Sequence, residues 1–320
     1  MRNLILKFLS ICFLLFSLPT YANSYPNKTI KIVVPNGPGG GTDTFSRIIA
    51  EKLSIALGQP IVIENKPGAQ GNIGTEFVAK AEPDGYTLLL AFTSTFSVNP
   101  FTYPDLKYNP LTNFQPIILG VSQPYLVVTS PNAPYQSLKQ LADYAKKNNK
   151  EITFSSTSSQ TELIGVLFQM LTGTRMLSIP YKGAGAAITD ASRGEVDVMF
   201  ASLPASIPLV QANKLKPLAI TGNKRITTLP DVKTGIESGY ADFDVSGWYG
   251  FVAPANTPPA IIQKLNTEIN KILQMPDVKL SLDKLGFNPE GGTSAEFAKL
   301  IASDYSRWEN VAKNKSKLKN

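Results

Sequence analysis

The 320-residue chain contains no histidine and one cysteine, Cys12. Without histidine there is no Ser-His-Asp or Cys-His catalytic unit and no histidine-ligated metal site. A single cysteine allows no intrachain disulfide. Charged residues are sparse at 17% and the acids are scattered, so no Asp/Glu group has the spacing of a metal site. Aromatic and basic residues do not interleave as a nucleic-acid groove requires. Beyond the first two dozen residues, no apolar run approaches the ~20 residues of a membrane span. The expectation is a protein without catalytic residues, metal, cofactor or nucleic-acid partner.

What is present begins with the N-terminus. Residues 1–22 have the pattern of a cleaved signal peptide: Arg2 and Lys7, an apolar run from Phe8 to Leu18, then Thr20-Tyr21-Ala22 for the peptidase. Cleavage removes Cys12 and lowers the net charge from +7 to +5. The expected product is periplasmic, monomeric and free of disulfides, so its stability must come from its core. A chain of about 300 residues suffices for that.

From Ile30 onward, short β-branched runs alternate with helix-length segments, the mark of parallel α/β sheets. Strands are predicted at Ile30–Val34, Ile61–Glu64, Tyr86–Ala91, Pro116–Gly120, Tyr125–Thr129, Ile152–Ser155, Met176–Ile179, Val196–Phe200, Leu215–Thr221 and about Val245–Ala253. Thr257 before Pro258-Pro259 reads as an N-cap, and Thr293 with Glu296 as a capping box. The C-terminal helices can complete a first lobe, with the middle of the chain inserted as a second. The expected division is 23–122 plus 249–320 against 123–248, with crossings near Val121–Pro124 and Ser246–Gly250 as a hinge.

Three loops between strand and helix carry the binding signals. The first, Pro35 to Asp43, holds four glycines, which let a ligand approach the backbone and the free N–H groups of the following helix. It imitates a dinucleotide fingerprint, but Thr42 takes the third glycine position and Pro38 removes a donor. A small-anion cradle and a simple tight turn remain. The second loop, Ser155-Ser156-Thr157-Ser158-Ser159, offers five hydroxyls, with Ser159 and Glu162 at capping-box spacing. The third, Tyr181-Lys182-Gly183-Ala184-Gly185, opens another helix. Ser281-x-x-Lys284 and Lys233-Thr234-Gly235 imitate a penicillin-recognising enzyme, but in reversed order along the chain.

These segments closely resemble the Bug receptors, the periplasmic solute-binding proteins of tripartite tricarboxylate transporters, from about Tyr25 to Trp308. The resemblance rests on Ile32-Val33-Val34-Pro35 with Pro38-Gly39-Gly40 and Asp43, and on Val62-Ile63-Glu64-Asn65-Lys66-Pro67-Gly68-Ala69. It continues through Gly71-Asn72-Ile73-Gly74, Pro83-Asp84-Gly85-Tyr86, Pro180-Tyr181-Lys182-Gly183 and Trp248-Tyr249-Gly250. It implies a two-lobed type II periplasmic-binding-protein (Venus flytrap) fold, each lobe a sheet flanked by helices. It also implies capture of a small carboxylate (an organic acid, an aromatic acid or an acidic amino acid) by hinge closure and delivery to membrane transporter subunits. An alternative, a receptor that passes its closed form to a membrane sensor kinase, has the same sequence features.

Carried over by the resemblance, the first lobe's ligand-binding residues are Asn36, Gly37, Thr42, Asp43, Thr93, Ser94 and Thr95. Those of the second are Ser156, Ser158, Ser159, Gly183, Ala184, Ala201 and Ser202. Asp43 is expected to cap its helix and orient water. The chain departs from the family pattern at Asn36, where an aromatic residue is common, at Phe96 and Glu162, where histidines are frequent, and at Ala201-Ser202, which replaces a more polar pair.

Overall fold

A computed structural model describes residues 25–181 and 183–318. The signal-peptide reading and Lys182 lie outside the described residues. Among the described residues, ten strands join into one continuous ladder in the order β2-β1-β3-β9-β4-β7-β5-β6, with β8 and β10 both on β4. In the first lobe, β1 (Ile30–Val34) runs parallel to β2 (Ile61–Asn65) and β3 (Thr87–Phe92). The returning β9 (Ser246–Pro254) is antiparallel to β3. In the second lobe, β5 (Ile152–Ser156) runs parallel to β6 (Met176–Pro180) and β7 (Val198–Ser202).

The lobes are joined by β4, a 16-residue strand over Phe114–Thr129. Its first part pairs with β9 and with β10 (Asn288–Gly291), and from Tyr125 it pairs with β7 and β8 (Lys216–Ile220). The two strands predicted here are therefore one. Pro124, which reads as a break because it cannot donate to a ladder, sits where β4 exchanges its partners. Thr221 stitches the crossing. Its Oγ1 accepts from Tyr125 N at 2.9 Å, and its carbonyl accepts from Val245 N at 2.6 Å.

Period-two alternation covers both faces of the first sheet. Ile30, Ile32, Leu88 and Leu90 pack with Phe45 and Ile49 of α1 (Gly41–Leu57) and with Leu265 and Ile269 of α7 (Pro259–Gln274). Val33, Leu89 and Ala91 face Phe96, Phe114 and Phe297 on the other side. In the second lobe, Phe154 and Phe200 meet Leu163 and Phe168 of α4 (Ser159–Thr172), and Leu126, Val128 and Ala201 pack with Ala187 of α5 (Ala184–Arg193). The last helix, α9 (Ser294–Leu318), serves both lobes. Phe297 and Ile301 belong to the first core, whereas Trp308 and Val311 pack among Tyr135, Leu138 and Phe168 of the second.

Two caps differ from expectation. Ser158, not Ser159, is the N-cap of α4: its Oγ accepts from Thr161 N at 3.2 Å, while Thr161 Oγ1 accepts from Ser158 N at 3.0 Å. Thr161 thus fills the capping-box role, and Glu162 turns instead to Lys315 at 2.6 Å. Thr257 does not cap α7, because its hydroxyl donates to the Pro254 carbonyl at 2.8 Å and Pro258 takes the cap position. The box at Thr293 forms as predicted, with Glu296 Oε2 accepting from Thr293 N at 2.7 Å.

Candidate functional site

A cleft of about 450 Å³ opens between the lobes, over the two hinge strands. The first lobe supplies its glycine loop, and the loop's shape follows from a buried clamp. Asp43, in the first turn of α1, accepts from Gly39 N at 2.9 Å and from Arg47 Nε at 3.0 Å through Oδ2. Its Oδ1 accepts from Asn65 Nδ2 at 3.0 Å, and that same amide also donates to the Asn36 carbonyl at 3.0 Å. Gly39 has φ +82°, a left-handed conformation that glycine adopts without strain. The hydrogen bond from Arg47, above all, holds the Asp43 carboxyl down at about 2. Asp43 therefore anchors the loop and does not face the cleft.

Asn36, Gly37 and Thr42 line the cleft with Gly40 and Gly41 at the N-terminus of α1. Thr93 and Ser94 line it from the end of β3; Thr93 Oγ1 is already engaged by Trp248 N at 2.8 Å. Thr95 is fully buried, with its hydroxyl on the Phe92 carbonyl, and does not line the cleft. From the second lobe, Ser158 does. Ser156 instead donates to the Ser158 carbonyl at 3.3 Å and borders a separate groove. Ser159 opens α4 outside the lining, as do exposed Gly183 and Ala184 at the start of α5. Ala201 is buried in the second core, and Ser202 takes the N-cap position of α6 (Leu203–Gln211), with no capping bond from its hydroxyl, and does not line the cleft.

The floor is made by Gln123 of β4 and Gly247, Trp248 and Tyr249 of β9, which the sequence reading assigned to the hinge and not to the site, and by Tyr125, which it placed at the start of a second-lobe strand. The hinge crossings and the Trp248-Tyr249-Gly250 motif were the available signals, since a hinge strand necessarily runs beneath the cleft it closes. Gln160 also lines the cleft and had no such signal.

Among the described residues, none that lines the cleft carries a charged side chain. Burial pushes the Tyr249 hydroxyl up to about 12 and raises that of Tyr125 as well, so both remain protonated donors at neutral pH. Positive potential comes from the backbone: α1 and α4 both begin at the cleft, and a helix N-terminus carries roughly half a positive charge with unpaired N–H groups. Such a site can hold an anion through neutral donors.

A larger groove, about 530 Å³, runs along β6 between Met176, Leu177, Glu162 and Lys315. It lies on the second lobe and the end of α9, so lobe closure does not bury it. Of the charged groups that line it, Glu162 and Lys315 pair with each other. Among the described residues no cluster of acids has the makings of a metal site, and no helix is long and apolar enough to cross a membrane.

The sequence profile of the tripartite tricarboxylate transporter family receptor matches residues 45–316. The chain belongs to this receptor family. Protein BugT of Bordetella pertussis is 36% identical over 298 residues, covering 92% of this chain and 91% of BugT. An R. palustris protein solved with adipate is 33% identical at a TM-score of 0.77, covering 90% of this chain and 97% of that one. MatC from Rhodopseudomonas palustris, solved with bound malate, is 32% identical at a TM-score of 0.74, covering 90% of this chain and all of MatC. The two-lobed periplasmic-binding-protein architecture is thus that of the receptor family, and the cleft between the lobes is the candidate site.

Proposed function

We propose that this receptor is exported to the periplasm, captures a small carboxylate between its lobes and delivers it to a tripartite tricarboxylate-type membrane transporter. The observation that carries the reading is the composition of the cleft: two helix N-termini and neutral hydroxyl and amide donors, drawn from both lobes, with no charged side chain among the described residues. An acid held this way bridges half-sites that only closure brings together, which couples occupancy to the shape a membrane partner meets. The adipate and malate of the two solved relatives support a carboxylate as ligand. The division into lobes at 23–122 with 249–320 and at 123–248 belongs to the same proposal.

A thermal-shift screen of residues 23–320 against mono-, di- and tricarboxylates, aromatic acids, acidic amino acids and their neutral amides tests this. Ligand at 1,000 times its dissociation constant stabilises by about 4 kcal/mol, roughly 8–16 °C at this size. A shift confined to a few acids supports the reading. Shifts by neutral amides equal to those by acids contradict it, as does no shift by any acid from protein that mass spectrometry finds free of bound ligand.

A further inference from the structure

Gln160 occupies the second position of α4, lines the cleft, and is 5% exposed. Its Nε2 is buried without a hydrogen-bond partner. A buried amide donor left unpaired is costly, and native proteins seldom retain one without a use for it. The neighbouring groups suggest that use. A Cβ placed on Gly247 of the hinge floor would lie 3.3 Å from the Tyr125 hydroxyl and 3.8 Å from Gln160 Nε2. These two polar tips therefore flank the one floor position that has no side chain. Beside them, Tyr249 donates to the Gln123 amide oxygen at 3.5 Å.

Ser158, the other lining residue at the start of α4, has its hydroxyl engaged in the cap, where it accepts from Thr161 N. Gln160 thus brings an uncommitted amide donor from α4 to the cleft. An amide N–H only donates, and the protonated Tyr125 hydroxyl donates readily, so the group that fits beside them is an oxygen acceptor. The carboxylate proposed above has its own donors at the starts of α1 and α4, which leaves the Gln160 corner for a different atom of the ligand.

Resting on that carboxylate reading, we infer that Gln160 is a specificity-determining residue: its Nε2–H donates to a second oxygen function of the bound acid. The ligand class is then an acid bearing a hydroxyl, carbonyl or second carboxylate, in preference to a plain monocarboxylate. The corner is neutral, so it accepts a charged or an uncharged oxygen. An acid with only an alkyl tail leaves Gln160 desolvated and unpaired, and this penalty, as much as the missing bond, sets the preference.

The test is calorimetric titration of wild type, Gln160→Leu and Gln160→Glu with two matched series. One is adipate, 6-hydroxyhexanoate and hexanoate; the other is malate, 3-hydroxybutyrate and butyrate. Wild type is expected to bind the members with a second oxygen at least ten-fold more tightly than the plain acid of at least one series. Gln160→Leu should erase that ratio while leaving affinity for the plain acid within a few-fold. Gln160→Glu should reject the dicarboxylate more strongly than the hydroxy acid, because two carboxylates would meet. A Gln160→Leu protein that keeps the wild-type ratio overturns the inference and leaves the carboxylate reading intact. Equal loss of all members also overturns it, since it marks a purely structural residue. Wild-type protein that binds no member of either series overturns the carboxylate reading itself, and the inference with it.

Discussion

The indole N–H of Trp248 donates to the Asp304 carboxylate at 2.8 Å, tying the floor of the cleft to the helix that packs into both lobes. The backbone N–H of the same tryptophan is held by Thr93 Oγ1 at 2.8 Å. Trp248 is thus fixed at both ends by buried or half-buried partners, and the cleft gains a rigid wall. Burial raises the Asp304 carboxyl above the usual carboxylate range, while the Trp248 bond works in the opposite direction.

Asp304→Ala should destabilise the protein by about 1–3 kcal/mol, because it strands the Trp248 donor in a desolvated site. Asp304→Asn, which keeps an oxygen acceptor, should recover part of that loss. Urea unfolding measures both; equal midpoints for Asp304→Ala and wild type contradict the assignment.

The Asp43 clamp sets a pH dependence whose sign is fixed. Its carboxyl lies at about 2 in the folded protein against an ordinary value of 3.8. The stabilisation is therefore complete above about pH 4–5 and is lost as the pH falls through the folded value near 2. Its size is at most about 2 kcal/mol, reduced by solvent around the half-exposed Arg47. Denaturant unfolding of wild type and Asp43→Asn between pH 6 and pH 2 should converge at the acid end. Parallel curves would show that Asp43 is not the group responsible.

Much of the fold was legible because its strands are covered on both faces: β1 and β3 read as apolar runs, and the glycine loop and the capping box at Thr293 follow local rules. What local rules misread was set by distant contacts. β4 continues through Pro124 because β9, more than 120 residues later, pairs across it. Ser158 rather than Ser159 caps α4 because Thr161 completes the box and Lys315 draws Glu162 away. The cleft floor escaped because Gln123 and Gly247 become neighbours only through strand register, and Gln160 because its meaning lies in a bond it does not make.

The same capping finding separates two serines. Ser158→Ala should cost about 1 kcal/mol of stability through the lost cap and should also weaken ligand binding. Ser159→Ala, outside the lining, should leave affinity within about two-fold. Calorimetry and thermal unfolding of the pair check this, and a larger loss of affinity in Ser159→Ala would reverse the assignment.

Gly247→Val should reduce ligand affinity at least ten-fold with little loss of stability. The added carbons enter the space bounded by Tyr125 and Gln160 and not the packed core of either lobe. Unchanged affinity in a folded Gly247→Val protein would move the ligand away from the hinge floor.

The most direct test is a crystal structure of the receptor with the acid that gives the largest thermal shift. The carboxylate should lie between the N-terminus of α1 at Gly41-Thr42 and that of α4 at Ser158, with the rest of the acid extending over Gly247. Density for the acid in the groove along β6, with the interlobe cleft empty, would contradict the account.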